Sequence, residues 1–349
     1  MNQRMRDILT EAYRHPHRKC FFYTGNNHPD AGKVLGKKQW DWTPQPTVNI
    51  EPWYSHTHTL ALAFGAPPCY TSGGKEWVQK IITVPAEVSK IKIPPVWSGR
   101  PGQLLDKACE MLTQLPEETL IRLPDIQSPL GVAELLWDES FYTSFLIEPQ
   151  ALHELLEKIT SFIIAYITEW KKVLGHRLNA ACHPHLWATH EGYYISDDVN
   201  SMISPEQHEE FSIPYINKIT EACGHLFYHS CTWTPLYFEN IRKIHSIKAA
   251  NWSTGTSADP ALLIKEFSGQ FVLAPHIGLD THTEEGISTL NKNIRDAVDL
   301  VRYYLDSMQE NTTMYMVLQE DLVKDEDMIQ RLYRLFDERG YTPEARGLS

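Results

Sequence analysis

The sequence predicts an α/β protein built on a single (β/α)8 TIM barrel, and three observations carry that prediction. From about residue 119 onward, short apolar strands alternate with amphipathic helices with few interruptions. Such alternation means parallel strands joined by helical crossovers. No Gly-rich nucleotide turn follows the strands, which favours a closed barrel over an open doubly wound sheet. The strand ends are also rich in ligand-type residues: Glu51, Asp125, His183 and His185, His229 and Cys231, Asn251 and Ser253, His276, and Gln319 with Glu320. That is expected where the C-terminal ends of barrel strands build an active site.

In chain order, residues 1–46 read as an N-terminal extension, an amphipathic helix on Met5, Ile8, Leu9 and Ala12 followed by an irregular loop. The barrel is expected over residues 47–349, beginning with a strand at Thr47–Ile50 that ends in Glu51-Pro52-Trp53. His56 and His58 follow and read as the capped start of a helix through Leu60 and Phe64. Residues 67–103, dense in Pro and Gly, look like an excursion from the main fold. A helix (104–115), the strand Leu120–Pro124 and a polar turn at Asp125 come next. Pro149 opens the strongest helix, with apolar residues at Leu152, Leu155, Leu156, Ile159, Phe162, Ile163, Ile167 and Trp170 and Gly175 as its stop. Residues 177–182 are strand-like. Ser204-Pro205-Glu206-Gln207 is a capping box, opening a helix to Cys223 that is kinked at Pro214. Strands at 226–228, 247–252, 271–275 and 313–318 alternate with helices at 235–244, 260–267, 288–305 and 325–339.

Bulk properties narrow the function classes. The 349 residues carry 32 Lys+Arg against 44 Asp+Glu, a formal charge of -12. That argues against nucleic acid or an anionic membrane as partner and disfavours a highly anionic substrate; the partner expected is a small-molecule substrate. The six cysteines are scattered without a CxxC pair, which reads as free thiols in a reducing compartment. The charged N-terminus has no apolar stretch of the signal-peptide kind, and no run approaches a membrane span. A cytoplasmic protein is the expectation.

His229-Ser230-Cys231 is the stretch with the most chemistry. An imidazole and a thiol two positions apart on an extended chain point to the same side. Both are good zinc ligands, placed where a barrel strand delivers them to the mouth. Duller roles are expected elsewhere. Asp197 and Asp198 accept hydrogen bonds from loop amides, Asp125 caps its turn or lines the substrate pocket, Ser204 caps a helix, and Cys223 is packing. His183, His185 and His190 read as pocket lining.

Several stretches resemble the uroporphyrinogen decarboxylase superfamily, and are most similar to its cobalamin-linked zinc methyltransferase branch. They are Pro124-Asp125-Ile126-Gln127-Ser128-Pro129-Leu130-Gly131, Ile195-Ser196-Asp197-Asp198, Ser204-Pro205-Glu206 with Pro214-Tyr215, and Tyr228-His229-Ser230-Cys231 with Thr234-Pro235. The resemblance covers roughly residues 119–290. It implies a (β/α)8 barrel with its site at the C-terminal mouth. In the methyltransferase branch, His-x-Cys and a second Cys at the end of the last strand hold zinc. His229 and Cys231 match. No cysteine follows Cys231, so Glu320, near the missing position, or His276 on the neighbouring strand is the expected further ligand.

Three readings follow. In the first, a zinc methyltransferase moves a methyl group between a small methylated substrate or thiol and a corrinoid on a separate protein. Glu51 is then a further ligand or general base, and Trp53, Trp187, Trp233 and Trp252 wall the pocket. In the second, the chain is a metal-free carboxy-lyase of the decarboxylase type. The Arg-rich loop that would hold substrate carboxylates has no equivalent here, and Gln319-Glu320-Asp321 stands where Gly-His-Gly would be. In the third, the barrel has lost its chemistry and serves as a binding protein.

Overall fold

A computed structural model describes residues 3–25, 45–50, 57–182, 186–254, 257–277, 294–318 and 326–341. Its strands are β1 (Cys20–Gly25), β2 (Thr47–Val48), β3 (Pro68–Tyr70), β4 (Glu76–Val78), β5 (Leu120–Arg122), β6 (Leu178–Asn179), β7 (Gly192–Ser196), β8 (His225–His229), β9 (Ile247–Asn251), β10 (Val272–Leu273), β11 (His276–Ile277) and β12 (Thr313–Leu318). Its α-helices are α1 (Gln3–Arg14), α2 (Thr59–Ala63), α3 (Gly99–Gln114), α4 (Pro129–Leu136), α5 (Phe141–Ile147), α6 (Pro149–Leu174), α7 (Pro205–Phe211), α8 (Ile213–Cys223), α9 (Phe238–Arg242), α10 (Pro260–Phe267), α11 (Ala297–Ser307) and α12 (Glu326–Glu338).

The main sheet is parallel and runs β1-β12-β10-β9-β8-β7, with β11 also beside β12. A second parallel sheet runs β2-β5-β6. The two are joined by a parallel bridge between Gln127 and Ser196. This is the parallel strand–helix architecture of a TIM barrel, as the alternation of the sequence predicts. β3 and β4 form a separate antiparallel hairpin inside the Pro- and Gly-rich excursion.

Residues 1–46, set apart in sequence as an extension, contain β1. It pairs with β12 from Cys20 to Gly25 and so lies within the main sheet. Phe21, Phe22 and Tyr23 are all buried. A strand with both faces covered shows no alternation, and the six-residue run was therefore not legible as one. α1 packs beside β9. Its Tyr13 packs edge-on against Phe227 and donates to the Trp187 carbonyl at 2.7 Å.

α6 is the long helix expected from the 3.6-residue stripe, and every stripe residue is buried. It packs against α4 and α8. Gly175, at φ 52, ends it in a backbone conformation that suits glycine. The helix expected to kink at Pro214 is instead broken into α7 and α8 around Ser212. Proline has no N–H to give and its ring crowds the preceding turn. The Ser212 hydroxyl is used elsewhere, donating to both oxygens of Asp197 at 3.2 Å.

The register between β7 and β8 sets the site. Tyr194 pairs with Phe227 and Ser196 with His229, and His229 pairs in turn with Asn251 of β9. Side chains alternate along a strand. Tyr194 and Ser196 therefore share one face, while the Tyr193 hydroxyl bonds Thr220 of α8 on the other. Gly192 permits the close approach: a Cβ there would stand 2.5 Å from the Phe227 ring and 2.8 Å from the His225 carbonyl oxygen. Among the described residues no helix is long and apolar enough to cross a membrane.

Candidate metal centre

β8 ends at His229, and the chain stays extended enough to bring Cys231 back to the same side. The Cys231 sulfur lies 3.4 Å from Nε2 of His229. A third donor arrives from the end of β7: Asp198 Oδ1 is 3.6 Å from the same Nε2. One ligand atom from each of the three residues falls within 4.8 Å of the others. Ligands held about 2.0–2.3 Å from a tetrahedral zinc stand about 3.3–3.6 Å apart. Both measured separations involving His229 match that spacing.

The surrounding bonds fix each donor. Cys231 N–H donates to Asp198 Oδ1 at 2.6 Å and the Ser196 hydroxyl donates to Asp198 Oδ2 at 2.7 Å. Nδ1 of His229 faces the side-chain oxygen of Asn251. The Asn251 amide nitrogen donates to the Ala274 carbonyl, which only accepts. The amide oxygen is thereby turned to His229, Nδ1 carries the proton, and the lone pair of Nε2 points at Cys231 and Asp198. That is the tautomer a metal ligand needs. Burial pushes the Cys231 thiol up, and the adjoining Asp198 carboxylate pushes it further. With a divalent cation held among the three, Cys231 would instead favour its thiolate form. The donor set thus fits a cation chemically as well as geometrically.

His276 is buried beside this cluster. Burial first, and then the nearness of His229, lowers its pKa to about 3, so the ring is neutral at physiological pH. It stands next to the triad without joining the three ligand atoms that share the 4.8 Å cluster.

Asp125, three residues past β5, is 6% exposed. Its Oδ2 accepts from Gln127 Nε2 at 2.9 Å and from the Thr57 hydroxyl at 3.3 Å. Burial raises its pKa to about 7. The bond from Gln127 opposes the rise, the charge of Asp198 adds to it, and the bonds from Thr57 and Tyr194 oppose it. Its expected role as a turn cap falls to Ser128, whose hydroxyl accepts from Gly131 N–H at 3.1 Å.

The expected aromatic wall takes a different form. Trp233 and Trp252 are fully buried. Trp233 packs on Trp252, Phe267 and Phe271, and Trp252 donates to the Tyr304 hydroxyl at 3.1 Å. Both belong to the layer between the sheet and α10 and α11. Trp187 lies under α1, where its indole nitrogen reaches Gln45. Position just after a strand does not reveal which face a side chain takes, and these three went to the apolar layers. Glu51, Trp53, His183, His185 and Glu320 lie outside the described residues.

Asp198 is the residue that sequence reasoning placed in a lesser role. It does accept a loop amide, that of Cys231, as expected, and the same carboxylate completes the cluster. The signal was its position, since Asp198 follows the end of β7 as Cys231 follows the end of β8. Asp197 next to it is structural. It is buried and bonded by His208 at 3.0 Å, Ser212 and Tyr228.

Fold and site together define an α/β barrel-type protein with a His/Cys/Asp cluster at the C-terminal ends of adjacent parallel strands. The fold is similar to that of a methyltransferase from Methanosarcina mazei, with a TM-score of 0.61 and 12% sequence identity, over 89% of this chain and 83% of that one. A B12-independent methionine synthase from Shewanella sp. W3-18-1, in complex with selenomethionine, aligns with a TM-score of 0.43 and 11% identity, over 76% of this chain and 70% of that one. No family model and no curated protein sequence matches the chain. The likeness to the Methanosarcina structure is one of fold.

Proposed function

We propose that this chain is a zinc-dependent methyltransferase that moves a methyl group between a small methylated substrate or thiol and a corrinoid carried on a separate protein. The observation that carries the reading is the convergence of His229, Cys231 and Asp198 at the strand ends of a fold like that of a known methyltransferase. These three side chains would hold the metal, leaving a position for substrate. When bound, the metal supplies Lewis acidity, lowering the pKa of a thiol or hydroxyl placed against it. Asn251 holds the His229 tautomer, and Ser196 and the Cys231 amide hold the Asp198 carboxylate. Glu320 is proposed as a further ligand and Glu51 as a ligand or general base. A His/Cys/carboxylate set is harder than one with two thiolates, which suits an oxygen-linked methyl donor as well as a thiol.

The carboxy-lyase reading receives less support, because the carboxyl groups of Asp125 and Asp198 stand where a carboxylate-rich substrate would need cations.

The test is metal analysis of protein produced with ample zinc. Near-stoichiometric zinc is expected, lost in His229→Ala and Cys231→Ser and much weakened in Asp198→Asn. Protein that binds no zinc refutes the reading. Thiol-dependent demethylation of methylcobalamin, followed by absorbance, then tests the transfer itself.

A further inference from the structure

We infer that Asn200 is a positioning residue for the metal cluster: its amide locks the turn that carries Asp198 to the residues on either side of His229, and so sets the distance between the carboxylate and the other two donors. The inference rests on the reading of Asp198, His229 and Cys231 as a metal site.

The β7–β8 ladder gives out before the donors are all in place. Its last paired residues are Ser196 and His229, and one further backbone bond runs from the Asp197 N–H to the His229 carbonyl at 2.8 Å. Asp198 and Cys231 both lie beyond it. Asp198 opens a 3-10 turn, Asp198–Met202, and Asn200 is the buried residue of that turn. Its Nδ2 donates to the Tyr228 hydroxyl at 3.1 Å, and its Oδ1 accepts from the Ser230 hydroxyl at 3.0 Å. Side chains alternate along an extended chain, so Tyr228 and Ser230 hold the face opposite the one that His229 and Cys231 share. The amide therefore grips the strand end from behind, at the residues just before and just after the ligating histidine. Ser196 and the Cys231 N–H orient the Asp198 carboxylate; Asn200 holds the backbone that carries it.

The direction of each bond is fixed. The Tyr228 hydroxyl gives its proton to Asp197 Oδ2 at 3.1 Å, leaving an oxygen that accepts from Asn200. The Asn200 oxygen is then turned to Ser230, whose hydroxyl otherwise meets the Thr232 carbonyl at 3.3 Å. The chain of bonds ends on Asp197, which His208 of α7 holds at 3.0 Å and Ser212 at 3.2 Å. Asn200 is 1% exposed, and Asp197, Tyr228 and Ser230 are fully buried. Removing the amide leaves buried partners unpaired and frees the turn to shift. A metal site is sensitive to such a shift, because its ligand distances hold to within about 0.2 Å.

Zinc affinity, measured by competition with a chromophoric chelator, tests the inference in a double-mutant cycle. Asn200→Ala is expected to weaken binding about tenfold. Ser230→Ala, which removes one of the two bonds and is the milder change should Asn200→Ala fail to fold, should weaken it about threefold. In an Asp198→Ala background either substitution should change affinity by less than about twofold, since the carboxylate it positions is already gone. Leu156→Ala, which destabilises the fold away from this network, is the control and should bind zinc as the wild type does. Metal-free crystal structures of the two variants supply a readout without zinc: Asp198 Oδ1 should stand further from His229 Nε2 than the 3.6 Å of the wild type. An equal loss of affinity with and without the Asp198 carboxylate overturns the inference, as does a carboxylate that keeps its place in both metal-free variants. A wild type that binds no zinc refutes the metal reading instead, and the metal-free structures still decide whether Asn200 sets the position of Asp198.

Discussion

Replacing Asn251 by Leu tests how the site is preset for metal. The side chain is fully buried, and leucine keeps most of its volume while removing the amide. Two bonds go together: the one that accepts from Nδ1 of His229 and the one that donates to the Ala274 carbonyl. Loss of an outer-sphere partner of a metal-ligating histidine lowers affinity about 10- to 100-fold, or about 1.4–2.7 kcal/mol. Folding stability of the metal-free protein should fall as well, by about 1–3 kcal/mol, because a buried carbonyl loses its donor. Zinc affinity is measured by competition with a chromophoric chelator at neutral pH, and stability by urea unfolding. Asn251→Asp retains an acceptor for Nδ1 and should keep zinc affinity within about threefold. If Asn251→Leu binds zinc as tightly as the wild type, the amide does not set the imidazole tautomer and the argument for a preorganised site fails.

Asp125 holds its proton more tightly folded than unfolded, so its burial costs stability as pH rises from about 4 to the folded pKa of about 7. The cost is on the order of 4 kcal/mol above that range. Asp125→Asn should therefore raise the Tm at about pH 8 and leave it nearly unchanged at about pH 4. Asp197 shows the opposite sign. Burial alone would raise its pKa, but His208, Ser128 and Tyr228 hold it below the usual carboxylate range. Its stabilising contribution is present above the ordinary carboxylate pKa and lost as pH falls through the lower folded value. Asp197→Asn should cost about 3–5 kcal/mol at neutral pH by urea unfolding and flatten the acid limb of the stability profile. Leu156→Ala, in the fully buried stripe of α6, should cost about 2–5 kcal/mol, with metal content per folded molecule unchanged.

Much of the framework was legible because buried faces leave a period in the sequence. The stripe from Leu152 to Trp170 announced α6, and β12 occupies the run Thr313–Leu318 read from its apolar residues. β1 was not legible, because its partner β12 lies almost 300 residues away and a doubly covered strand has no alternation to read. His229 and Cys231 could be paired from sequence since their spacing alone puts them on one side of a strand. Asp198 carried only the weaker signal of its offset past β7, because its meeting with them depends on the β7–β8 register that Gly192 permits. Trp233 and Trp252 show the converse, with residues adjacent to the site in sequence turned outward into the helix layer.

All three donors leave two neighbouring strands, β7 and β8, and are tied to each other and to β9 by local bonds. The described part of the grip therefore comes from one short arc of the rim. The further ligands proposed at Glu320 and Glu51 follow β12 and β2 in the chain, so affinity for the ion would draw on those strand ends as well. A substitution there would then change metal binding and what the mouth admits together, and the two properties would evolve as one.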